Sequence, residues 1–268
     1  MSSRYYTSLM IAAWFVVPTH GRVHAFADEV KIIRPPDVKP AADEKKPDLP
    51  AAVKIIVDNT NAFRAKEGKS RVEPNAKLTA AAKYFADYMA GSDRYGHTAD
   101  GKQPADRAEK HGYEYCIVLE NIAYRYRASG FTTDDMGTGF FTGWRESPGH
   151  RKNMLDPEIT ETGVAIARSE KTGHYYAVQM FGRPKSKAIE FKITNQARVA
   201  VTYQIGEESY TLEPRSIRTH TRCRPADLIL EPADKKADSK SKPEVVRPVN
   251  GDRLLVTQDK SGYRLRKE

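Results

Sequence analysis

"TGVAIARSEKTGHYYAVQMFG", residues 162–182, decides the fold class. Two apolar runs, 162–169 and 174–182, flank Lys171-Thr172-Gly173, a turn signal with glycine at its end. Apolar runs of that length around such a turn predict an antiparallel hairpin. Upstream, "NAKLTAAAKYFADYMAG" (75–91) has another period: Leu78, Ala81, Ala82, Phe85 and Met89 fall on one helical face. Asn75 is the candidate N-cap and Gly91 the candidate stop. Helices are also expected over residues 51–68, after Pro50, and around "MGTGFFTGW" (136–144), with Asp134 and Asp135 near its start. A strand is expected over "YCIVLENIAY" (115–124). Helices and antiparallel strands in irregular order indicate an α+β layered domain over residues 51–184.

Beyond 185 the period changes. Ile189, Phe191 and Ile193, then Val199, Val201 and Tyr203, alternate with polar residues, so residues 185–268 are expected to form a small all-β module. Its last hairpin is placed in "DRLLVTQ" and "GYRLRKE". Residues 233–247, rich in Lys, Ser and Pro, read as a flexible segment. Residues 28–50, rich in Pro and charge, read as an extended linker. At the other end, Arg4, the apolar run at 8–17 and "AFA" at 25–27 have the layout of a secretory signal peptide over residues 1–27. The apolar run is too short for a membrane span. A secreted or periplasmic location, with no transmembrane span in the mature chain, is therefore expected.

Loss of residues 1–27 removes Arg4 and Arg22 and lowers the net charge from +9 to +7. Residues 187–268 account for +5 of that. Such a charge favours anionic envelope polymers without specifying one. Nucleic acid is excluded as the partner: no helix-turn-helix, RNP or zinc-knuckle pattern is present, and export removes it. Cys116 and Cys223 are the only cysteines. An exported chain can join them, but the pairing geometry cannot be read from sequence.

"SPGHRKNML" (147–155) raises the functional question, because it sets His150 at the head of a short helical turn behind a Ser-Pro-Gly corner. His97 lies in the loop "YGHTADGKQPADR", and Glu120 interrupts an apolar strand. A buried carboxylate requires a partner, and His97 and His150 are the candidates considered. His111, His174 and His220 carry no functional expectation.

"GHTADG", "LENIA", "GWRESPGHRKNML" and the hairpin strands occur together in the order and spacing of the CAP superfamily. The sequence resembles its bacterial SCP or YkwD-like branch. The resemblance implies an α-β-α sandwich and a cleft lined by His97, Glu120 and His150, with Glu146 as a further candidate. Ser147 stands where eukaryotic members carry a second acid, with Glu146 one position off, and Leu119 stands where glycine is usual. Trp144, Arg151 and Asn153 are expected as structural support, the last two through backbone hydrogen bonds. Three functions follow. The first is a non-enzymatic binding module for a small apolar ligand, a divalent metal or an envelope component. The second is a hydrolase using His97, Glu120 and His150, either with zinc, whose ligand types these are, or by acid–base chemistry. The third is a structural adhesion or spacer protein whose His/Glu cluster only locks the fold. Neither HExxH nor a nucleophile signature is present.

Overall fold

The computed structural model describes residues 29–232, 243–259 and 262–268; the expected signal peptide lies outside them. The first unit is an α-β-α sandwich. Strand β1 (Lys31–Ile32) precedes helix α1 (Leu49–Lys66), β2 (Glu73–Pro74), α2 (Ala76–Ser92), β3 (Arg94–Tyr95) and α3 (Pro104–Lys110). There follow β4 (Tyr115–Arg125), α4 (Thr133–Glu146), α5 (Pro148–Met154) and the hairpin β5 (Glu161–Arg168) and β6 (Tyr175–Pro184). The central sheet has the order β2-β5-β6-β4, with β2 parallel to β5 and the other pairs antiparallel.

Strand parity sorts the two cores. Tyr175, Ala177 and Phe181 of β6 pack with α1, α4 and α5, whereas Tyr176, Val178 and Met180 pack with α2 and α3. The α2 stripe that the sequence shows is fully buried, and a side chain at Gly163 would collide with the Leu78–Thr79 backbone, so α2 lies directly on β5. Asn75 caps α2 by accepting from the backbone N–H groups of Lys77 (2.9 Å) and Leu78 (3.3 Å). The helix runs past Gly91 and stops at Asp93 instead, which adopts the left-handed conformation (φ 53°). The buried Asp93 carboxylate accepts from Thr172 (2.8 Å) and Tyr176 (3.0 Å), contacts that hold it there. Fully buried Arg64 on α1 donates to the carbonyls of Met154 (2.6 Å) and Asp156 (3.0 Å), fixing where α5 ends.

Residues 29–48 correct the linker expectation. β1 pairs antiparallel with β3, Val30 and Ile33 pack against the α2 core, and Lys45 bridges to Gly130. Glu44, nearly buried, pairs with Arg168 at 3.1 Å. Proline-rich composition makes a segment extended, but backbone bonding and one placed carboxylate are enough to lay it against the domain.

The second unit is a sandwich of two four-stranded sheets. Its strands are β7 (Ile189–Asn195), β8 (Val201–Ile205), β9 (Glu208–Leu212), β10 (Ile217–Arg222), β11 (Leu228–Leu230), β12 (Glu244–Val246), β13 (Arg253–Asp259) and β14 (Gly262–Lys267). The sheet orders are β10-β7-β13-β14 and β12-β11-β8-β9, and β13 and β14 form an antiparallel hairpin. β12 pairs with β11, so residues 244–246 are part of the sheet rather than of a flexible segment, and Arg247 pairs with Asp227 at 2.7 Å. Residues 233–242 of that segment lie outside the described residues. Cys116 and Cys223 form a disulfide that joins the two units across 107 residues. Arg224 adds a two-bonded contact to Asp156 (2.7 and 3.0 Å). Among the described residues no helix is long and apolar enough to cross a membrane.

Candidate functional site

Even-numbered side chains of β4 face α2 and α3, and odd-numbered ones face α4 and α5. Glu120 therefore points under the His97 loop, with its side chain only 1% exposed. His97 Nδ1 lies 2.8 Å from Glu120 Oε1, while its ring keeps 27% of its surface in solvent.

The partner that the sequence reading missed is Arg107, on α3. Its guanidinium is fully buried and stands 3.6 Å over the Phe85 ring. One terminal nitrogen reaches both Glu120 oxygens (2.9 and 2.8 Å) and the His97 carbonyl (2.9 Å). The other reaches Asp100 Oδ1 (2.8 Å) and the Lys102 carbonyl (2.9 Å). One cation thus gathers two buried carboxylates and both ends of the His97 loop. Such desolvated ion clusters hold only when each member is paired. Nothing local in the sequence marks Arg107, the fourth residue of a short charged helix, as the partner of Asp100 and Glu120.

His150 is the third residue of α5, half-buried. Two asparagines join its helix to the strand of Glu120. Asn153 donates to the Glu120 carbonyl (3.1 Å) and to Asn121 Oδ1 (3.0 Å), and Asn121 donates to the His150 carbonyl (3.3 Å). The structure thus brings His97 and Glu120 into direct contact and sets the backbone of His150 across the outer edge of β4 from them. Trp144, buried on α4, donates to the Ile122 carbonyl (3.1 Å) on that same edge. Arg151 does not brace the corner through the backbone; it pairs with Glu67 (3.0 Å) and covers the Phe63 ring. Glu146 is two-thirds exposed and bonds its neighbour Arg145 (3.2 Å).

A zinc or other divalent ion held by His97, Glu120 and His150 does not fit this geometry. Among the described residues no three His, Cys, Asp or Glu side chains are grouped to hold one ion. Arg107 is the physical reason, since it already supplies the positive charge at both oxygens of Glu120. The arrangement instead holds the partly exposed His97 imidazole from below by a buried carboxylate and guanidinium.

Residues 57–181 match the cysteine-rich secretory protein family, CAP. Two curated proteins of Bacillus subtilis (strain 168) are similar. The uncharacterized membrane protein YlbC is 29% identical over 147 residues, covering 54% of this chain and 39% of its own length. The uncharacterized protein YkwD is 28% identical over 131 residues, covering 48% of this chain and 47% of its own. This chain thus spans less than half of either relative. Among solved structures, an extracellular protein containing an SCP domain from Bacillus anthracis str. Ames aligns with a TM-score of 0.43 at 23% identity, over 50% of this chain and 41% of that one. An outer surface protein from Borrelia burgdorferi aligns with a TM-score of 0.44 at 19% identity, over 50% and 93%.

Proposed function

The chain belongs to the CAP superfamily through residues 57–181, and from that premise we propose that it works outside the cytoplasm as a binding module whose ligand-facing group is His97. One observation carries this reading: the buried Asp100–Arg107–Glu120 cluster orients a partly exposed imidazole without any of its own charged groups reaching solvent. A preorganised polar group on a rigid base is what recognition requires. The Cys116–Cys223 disulfide supports an oxidising compartment. A small apolar ligand or an anionic envelope polymer is the expected occupant.

Hydrolysis is less favoured, because Glu120 has both oxygens engaged and is too buried to meet a substrate. The structural-lock reading draws on that same burial. Two variants of the full chain separate binding from locking, with palmitate and soluble cell-wall polymer as probes. If His97 binds, His97→Ala weakens one probe by about tenfold, the worth of a charged hydrogen bond, and leaves thermal stability near that of the parent. If the cluster is only a lock, Glu120→Gln lowers stability, while His97→Ala moves no affinity.

A further inference from the structure

Where the sandwich meets the β module, a cleft of about 670 Å3 opens between them, within the range of about 300–1,000 Å3 typical of ligand sites. Its walls come from Tyr115–Val118 of β4, Glu208 and Tyr210 of β9, and His220–Arg224 at and just beyond the end of β10, with Ala105 of α3 beside them. Each of these strands is the last in its sheet. On β9 only alternate residues line the cleft, so that strand shows it a face. On β4 and β10 consecutive residues line it, so those strands show it an edge.

Hydrogen-bond parity tells which backbone groups that edge offers. Gly182, opposite Val118, accepts from Thr160 (2.9 Å) on the β5 side, so Val118 turns its own N–H and C=O away from the sheet. Along β4 these outward groups recur at every second residue. The Ile122 carbonyl accepts from Trp144 and Tyr95, and the Glu120 carbonyl accepts from Asn153. Val118, next in the series, lines the cleft and packs its side chain against the α2 core. On β10 the same logic applies. Lys192 N–H and the Glu190 carbonyl both bond the β13 side, at 2.9 Å and 2.7 Å, so their β10 partners Thr219 and Thr221 turn outward. Thr221 lines the cleft.

We propose that this seam is a binding site for an extended peptide, which adds as a strand along Val118 or Thr221 and sets alternate side chains against Tyr115 and Tyr210. Strand addition to an open edge supplies affinity through main-chain bonds and specificity through alternate side chains. A phosphate-rich polymer suits the seam less well, because Arg222 is paired with Glu208 (3.3 Å) and Arg224 with Asp156 (2.7 Å). The disulfide, with its Cα atoms 5.2 Å apart, pins one end of the seam, and both cysteines lie in its wall.

The test is a hexapeptide display selection against the full, disulfide-intact chain, followed by titration of the selected peptide. The expected result is slowed amide exchange at Val118 or Thr221 in the complex. Where Thr221 is the protected amide, Thr221→Pro, which deletes an outward N–H on an edge strand that tolerates proline, should weaken binding by about tenfold, the worth of one backbone bond; where it is Val118, Val118→Pro should do so. The alanine variant at the same position should leave it unchanged. Peptides N-methylated at alternate positions should likewise fail to bind, and they decide the matter if the proline variant does not fold. Unchanged exchange at both amides would overturn the proposal. So would equal losses for the proline and alanine variants at the protected position, or the recovery of no binding peptide.

Discussion

Replacing Arg107 with Met tests whether the buried cluster supports the domain. The substitution keeps an unbranched apolar side chain against Phe85 but removes the cation between Asp100 and Glu120, both of which have side chains 1% exposed. Removing one partner of a buried pair costs about 3–5 kcal/mol, because the remaining charge is left uncompensated. Here two carboxylates lose the same partner, and the carbonyls of His97 and Lys102 lose a donor each. A loss of about 4–5 kcal/mol is therefore expected, a large share of ordinary domain stability. Urea unfolding followed by the fluorescence of buried Trp144 reads this unit selectively when the chain starts at Asp28, since the only other tryptophan is Trp14. Adding Asp100→Asn and Glu120→Gln to Arg107→Met should recover about half of the loss, because the repulsion and the unpaired charges go with them. A single Arg107→Met variant within about 1 kcal/mol of the parent, a typical surface-mutation effect, would refute the cluster's structural role.

Other outcomes follow from the same structure. Reducing the disulfide or changing Cys116 and Cys223 to Ala should cost about 4–5 kcal/mol by the loop-entropy relation for a closed loop of this size, seen as a lower urea midpoint. Gly163→Ala should destabilise by about 3 kcal/mol, because its methyl group meets backbone rather than a movable side chain; thermal melting checks this. Burial, reinforced by Arg218 and Arg222 and opposed by Glu208, holds the His220 ring below its ordinary range. An unfolded histidine titrates near 6.5, so as pH falls through that value the unfolded chain takes up the proton first. The β module should therefore keep its full stability above about pH 6.5 and lose it progressively below, towards the depressed folded value. Melting curves at pH 7.5 and 5.5 should show this loss reduced in His220→Gln.

Helix α2 was legible because burial there follows period, the Leu78–Met89 stripe being solvent-free, and the hairpin because its apolar strand Tyr175–Gly182 is buried throughout. Asn75 was legible because its cap is local. Arg107 was not, since a charged residue in "PADRAEK" has the look of a solvated face, and only the tertiary approach of Asp100 and Glu120 reverses that. The same limit applied to the proline-rich segment, whose docking rests on backbone groups that every residue shares. At the site, the need of a buried acid for a partner narrowed the sequence reading to His97 and His150, and the structure gives Glu120 the contact with His97. The ion binding proposed for them required a third group, and only coordinates show that an arginine already serves there.

The short ribbon of β1 and β3 also bears on the loop of His97. β1 begins just past the expected cleavage point before Asp28, and β3 leads directly into the loop of His97. Gly96 lies so close to Val30 that a methyl group there would stand 3.3 Å from its Cα. The first described strand thus lies against the residue next to His97. Whatever loosens β1 from β3 would therefore reach the His97 loop through this one backbone contact.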